Sequence, residues 1–138
     1  MTDATQAKIL VGYDGSDGAR GALLWAATEA ALRRAPLEVV QAWTPGEFGT
    51  DEELGDYTQN HLEKELSETL ADRQVEWTAV AERGGAAKVL LERAASAQMI
   101  VVGSRGHGAL SGLLLGSVSS HVATHAGAAV VVIVKETV

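Results

Sequence analysis

The sequence predicts an α/β fold, a five-stranded parallel, doubly wound sheet with helices on both faces, built from residues 1–138 as a single domain. Three observations carry this expectation. Short runs of Val, Ile and Leu alternate with longer segments of helical periodicity along the whole chain, the pattern of repeated βαβ units. The runs Ile9-Leu10-Val11 and Met99-Ile100-Val101-Val102 are apolar without alternation, as strands buried on both faces are. No linker, internal repeat or low-complexity tract divides the chain, and 138 residues suffice for one sizeable core.

Each element has its own local reason. Lys8 to Asp14 reads as a buried strand ending in a Gly-Ser-Asp-Gly turn. From Asp17 to Arg34, Ala19, Leu23, Ala26, Ala27 and Ala30 recur at helical spacing, with Ser16 or Asp17 as cap and Pro36 as terminator. Leu37 to Trp43 is a second strand, closed by Pro45 and Gly46. Phe48 to Tyr57 is acidic and reads as a loop, leading into a helix through Leu62, Leu66 and Leu70. Val75 to Glu82 alternates, with Val75, Trp77 and Ala79 on one face, which suits an edge strand. Ala86 to Ala97 is a third amphipathic helix, and Gln98 to Gly103 the most apolar strand, expected near the centre. Gly116 to His125 forms a fourth helix, and Ala128 to Lys135 a last strand. The fold expected is Rossmann-like, with strand order 3-2-1-4-5.

Composition narrows the function classes. Eleven Lys+Arg against eighteen Asp+Glu give a net charge of −7, which argues against general binding to nucleic acid or an anionic membrane. It leaves room for one small anion in a local site. The absence of Cys excludes disulfides, thiolate metal sites and Cys nucleophiles. The N-terminal stretch reads as neither a signal peptide nor a membrane span.

In doubly wound sheets, ligands sit at the carboxyl ends of strands where the strand order reverses. Two turns of unusual composition follow strands here, "GYDGSDG" after the first and "GSRGHG" after the fourth. A loop that wraps polyphosphate needs bare backbone N–H groups, no Cβ in the way, and a helix N-terminus behind it. Gly103, Gly106 and Gly108 supply the free backbone, Arg105 and His107 local charge, and Gly116 with Ser117 and Ser119 a helix start with hydroxyls. Common nucleotide motifs do not fit. No Lys stands where a Walker A loop requires one, and Ser111 occupies the third glycine position of a dinucleotide fingerprint.

The pattern present is G-x2-G-x9-G-[ST], read as Gly103-x2-Gly106-x9-Gly116-Ser117. It resembles the ATP-binding signature of the universal stress protein family. The resemblance covers nearly the whole chain, through "KILVGYDGS", the extended strand ending near Ala42, "VVGSRG", "LLLGSVS" and the terminal Val/Ile run. It implies that Gly12, Tyr13 and Asp14 line the base and ribose side, with Ala42 beside the adenine. It places Gly103, Arg105 and Gly106 along the ribose and α-phosphate, and Gly116, Ser117, Val118 and Ser119 at the β- and γ-phosphates, with Ser104, His107 and Gly108 of the same loop counted among the nucleotide-binding residues. Mg²⁺ would bridge phosphate oxygens, with Asp14 as its protein carboxylate, directly or through water. The cofactor implied is ATP, or AMP or ADP in its place. The chain departs from the family pattern at Ala86 and Ala129, where Pro is frequent, and at Ala42, smaller than the Val often found there.

Other readings stand beside these. Asp14 also suits a plain turn or cap, and Arg105 a solvated charge. His121 and His125 have a metal-compatible spacing, without the Glu of HExxH or a third ligand in view. Trp25, Trp43 and Trp77 read as single apolar anchors on separate elements. The resemblance implies a nucleotide-dependent regulator of stress adaptation in the cytoplasm, a homodimer paired through the last strand, with neither nucleic acid nor membrane as partner and its downstream protein unidentified. The alternatives are a slow ATPase or nucleotide-dependent enzyme, for which no catalytic residue stands out, and a nucleotide-free dimeric interaction module.

Overall fold

The computed structural model describes residues 6–46, 49–104, 116–127 and 130–135. Five parallel strands form one sheet: β1 (Lys8–Gly12), β2 (Leu37–Trp43), β3 (Trp77–Arg83), β4 (Ala97–Gly103) and β5 (Val130–Val134). Their spatial order is β3-β2-β1-β4-β5, as expected. Between them lie α1 (Asp17–Arg33), α2 (Asp51–Thr69), α3 (Ala86–Arg93) and α4 (Ser117–His125), with a short 3₁₀ turn over Ala94–Ser96.

The alternation of side chains along each strand builds two cores. Ile9, Val11, Leu37, Val39, Met99 and Val101 face α1 and α2, where they meet the Ala-rich stripe of α1 and Leu62, Leu66 and Leu70. Leu10, Val40, Ile100 and Val102 face the opposite way, against Val89 and Leu90 of α3 and Val122 of α4. β1 is therefore covered on both sides, with Ile9, Leu10 and Val11 fully inaccessible. Register follows the same logic, pairing Ile9 with Leu37 on one side and with Met99 on the other. Val75, Trp77 and Ala79 do share one face, packed against the α1/α2 core, and β3 lies at the edge.

Two elements differ from expectation. The acidic stretch read as a loop to Tyr57 is helical from Asp51, with Thr50 as N-cap accepting Glu53 N–H at 3.0 Å. Asp51, Glu52 and Glu53 in the first turn are what a helix N-terminus stabilises, and Thr50-x-x-Glu53 has the capping-box spacing. The third helix ends at Arg93 rather than Ala97, because the chain tightens into the 3₁₀ turn and enters β4 at Ala97. The last strand is described from Val130; Ala128 and Ala129 lie outside the described residues.

Candidate nucleotide site

Strand order reverses between β1 and β4: the chain from β1 proceeds outward through β2 and β3, then returns to β4 on the other side. The helices change face with it. The carboxyl ends of these two strands, at Gly12 and Gly103, open the crevice in which such sheets hold ligands.

The turn after β1 is tightly organised. Tyr13 N–H donates to Val40 O at 2.9 Å, tying the turn to β2. The exposed Asp14 accepts Ser16 N–H at Oδ1 (2.9 Å), and Gly15 takes a φ of +83°, a conformation that favours glycine. Ser16 then caps α1 by accepting Ala19 N–H at 3.2 Å. Asp14 is thus a turn residue whose side chain is exposed to solvent.

Tyr13 reaches elsewhere. Its ring is buried in the α1/α2 core, and its hydroxyl donates to Glu65 of α2 at 2.6 Å. Burial, then the hydrogen bond and charge of Glu65, push the hydroxyl from 10.0 to about 12, against an opposing effect of Arg20. Only the backbone of Tyr13 remains for the crevice. Arg20, which the sequence did not single out, pairs with Asp17 at 3.1 Å and reaches Gly15 O at 3.4 Å, placing a guanidinium at the turn.

The end of β4 is bound to three other segments. A Cβ at Gly103 would lie 2.8 Å from the carbonyl carbon and oxygen of Gly18, so the first turn of α1 rests directly on this backbone. Ser104 N–H donates to Val134 O at 3.0 Å. Ser104 O accepts Gly116 N–H at 2.5 Å and lies 2.9 Å from Ser119 Oγ, which is also 3.2 Å from Gly116 O. One carbonyl thereby returns the start of α4 to the end of β4, although eleven residues separate them in sequence. Ser119 is buried and its hydroxyl is used in this anchor; Ser117 is exposed at the helix start, and Val118 packs partly into the α3/α4 core. Gly116 is the N-cap, and among the described residues no side chain caps the first N–H groups of α4.

Ala42 sits on the α3/α4 face near the end of β2, half-buried. Gly12 is held on that face too: a Cβ there would meet Leu90 at 2.8 Å. Arg105, Gly106, His107 and Gly108 lie outside the described residues. Among the described residues, no group of three His, Cys, Asp or Glu side chains could hold a metal ion. His121 and His125 stack at 4.3 Å between ring centroids, with His125 Nδ1 2.9 Å from His121 O. Among the described residues, no helix is long and apolar enough to cross a membrane.

Residues 7–134 match the model of the universal stress protein family. The chain belongs to this family. A universal stress protein of Mycolicibacterium smegmatis is 35% identical over 146 residues, covering 96% of this chain and 50% of that protein. One from Mycobacterium bovis is 37% identical, covering 99% of this chain and 48% of its own length. The chain thus spans about half the length of these curated relatives. Among solved structures, a family member from Lactobacillus plantarum superposes with a TM-score of 0.78 at 20% identity, over 93% of this chain and 97% of that one, a likeness of fold. A universal stress protein in complex with cAMP gives 0.73 at 28% identity, over 93% and 96%. The Archaeoglobus fulgidus member in complex with dAMP gives 0.72 at 25%, over 94% and 98%.

Proposed function

We propose that this chain binds an adenine nucleotide in the crevice between β1 and β4 and acts as a nucleotide-dependent regulator of stress adaptation. The observation that carries the reading is the Ser104 carbonyl, which holds Gly116 and the start of α4 at the end of β4. That contact brings the N-terminus of α4 to the switch point, and among the described residues no side chain caps it, the combination a phosphate favours. Complexes of other family members with cAMP and dAMP support a nucleotide at this fold.

In this reading residues 1–138 act as one nucleotide-binding domain and the ligand is ATP, or AMP or ADP. Ala42 and the backbone of Gly12 and Tyr13 border the base. Gly116, Ser117 and Val118 receive the terminal phosphates through backbone N–H groups and the Ser117 hydroxyl, while Ser119 secures the helix start. Arg105, Gly106, His107 and Gly108 are assigned by the resemblance to the family alone. Mg²⁺ would be held chiefly by phosphate oxygens, and exposed Asp14 is the carboxylate beside it; the residues fit an ion that keeps several waters. A cytoplasmic location and a homodimer through β5 belong to the same proposal. Val130 is 57% exposed on that edge strand, where a second copy would cover it.

Calorimetry with Mg-ATP, AMP and cAMP, alongside mass spectrometry of nucleotide released by heat, tests the site. Binding by the wild type and its loss in Gly116→Leu, with the circular dichroism spectrum retained, is the expected result. No binding by the wild type, or equal binding by a folded Gly116→Leu variant, overturns the assignment.

A further inference from the structure

The two outer strands of the sheet differ in what their free edges offer. Leu37 N–H bonds Glu76 O, and Gly84 N–H bonds Trp43 O, so the even-numbered positions of this segment turn their backbone groups toward β2. The odd positions, Ala79 and Ala81 at the centre of β3, turn theirs outward. An unpaired row of this kind is a template for a strand from another molecule.

At β3 the template is already occupied. Gln59, on α2, donates from Nε2 to Ala79 O at 2.9 Å and accepts Ala81 N–H at Oε1 at 2.7 Å. A carboxamide carries the donor and acceptor of a peptide group, so this one side chain takes the place of a neighbouring strand at the middle of the edge. Its position is fixed from both sides. Leu62 and Leu66 bury α2 into the core, and Asp51 at the start of α2 pairs with Arg83 at the end of β3 at 2.9 Å. β5 differs. Val134 O accepts from Ser104, so Val131 and Ile133 turn outward, and among the described residues no side chain bonds their backbone groups.

We propose that Gln59 closes the β3 edge against strand addition by a second copy of this chain. The inference rests on the homodimer through β5 proposed above, and not on a bound nucleotide. It assigns to Gln59 a function in limiting assembly: growth at one edge ends in a closed pair, whereas growth at both would continue into open polymers.

The test replaces Gln59 with Ala, which removes both bonds, and with Met, which keeps the length of the side chain but carries neither the amide donor nor its oxygen. Residue-resolved amide exchange should show Ala81 exchanging about fivefold faster or more in both variants, with Val39 unchanged. Sedimentation velocity across a concentration series should show Gln59→Ala assembling beyond the wild-type mass. Adding Ala81→Pro, which removes the freed outward donor while sparing the β2 ladder, should restore that mass. Unchanged Ala81 exchange, or a wild-type mass at every concentration despite faster exchange, overturns the proposal. Should Gln59→Ala not fold, Gln59→Met carries both readouts.

Discussion

Gly103 and Gly18 meet backbone to backbone: a Cβ on Gly103 would stand 2.8 Å from both the carbonyl carbon and the oxygen of Gly18. Neither partner can rotate away, since one ends β4 and the other lies in the first turn of α1. Gly103→Ala should therefore cost about 1–3 kcal/mol in urea unfolding, as overpacking does. Gly21, one turn further along α1, has nothing within 4 Å of its Cβ position, and Gly21→Ala should stabilise by about 0.4–1 kcal/mol. Equal effects of the two changes would contradict the close approach.

Ser119 and Ser117 should separate stability from binding. Ser119→Ala removes the buried hydroxyl at Ser104 O and should cost about 0.5–1.5 kcal/mol. Ser117 is exposed, so Ser117→Ala should change stability by less than about 0.5 kcal/mol while weakening nucleotide affinity in calorimetry. If Ser117→Ala binds as tightly as the wild type, its hydroxyl has no phosphate role.

Tyr13 predicts an alkaline limb. Its folded value of about 12 lies above the unfolded value of about 10, so the stabilisation is complete below about pH 10 and is lost as pH rises through 12. Tyr13→Phe should be less stable by about 1 kcal/mol at neutral pH and should flatten the decline between pH 10 and 12. Chemical denaturation at several alkaline pH values measures this.

Glu38 predicts the opposite limb. Burial alone would raise its carboxyl, but hydrogen bonds and charge from Arg93 and Lys8, at 2.6 and 3.1 Å, outweigh burial and hold it below the ordinary range. Arg93 also pairs with Glu82, joining β1, β2, β3 and α3 through one cluster. This stabilisation is present above the unfolded value of about 4.3 and disappears as pH falls through the lower folded value. Glu38→Gln should cost about 1–3 kcal/mol at pH 7 and much less in acid. A cost that does not shrink between pH 6 and pH 3 would contradict the ion cluster.

The fold was legible because its signals are local and repeated. The Ala stripe of α1 and the unbroken apolar runs of β1 and β4 declare their burial through periodicity alone, and each was found buried. The cap at Thr50 is equally local in Thr50-x-x-Glu53, but acidic composition by itself does not distinguish a loop from a helix N-terminus. The glycine spacing pointed to the family, and the family model matches residues 7–134.

What periodicity cannot contain is which group a side chain meets across the sheet. Tyr13 adjoins Asp14 in sequence, yet strand alternation sends its ring into the α1/α2 core and its hydroxyl to Glu65, fifty-two residues away. The sequence offers Ser119 as a hydroxyl at the start of α4, yet packing turns that hydroxyl inward to Ser104. Gln59 has no distinguishing neighbours in the sequence, and only the seating of α2 beside β3 brings it to Ala79 and Ala81. The sequence by itself determined the elements, their order and the family, since these follow from short-range patterning of apolar residues and glycines. The tertiary structure decided which polar atoms are used internally, because each hydrogen bond depends on the distance between segments far apart along the chain.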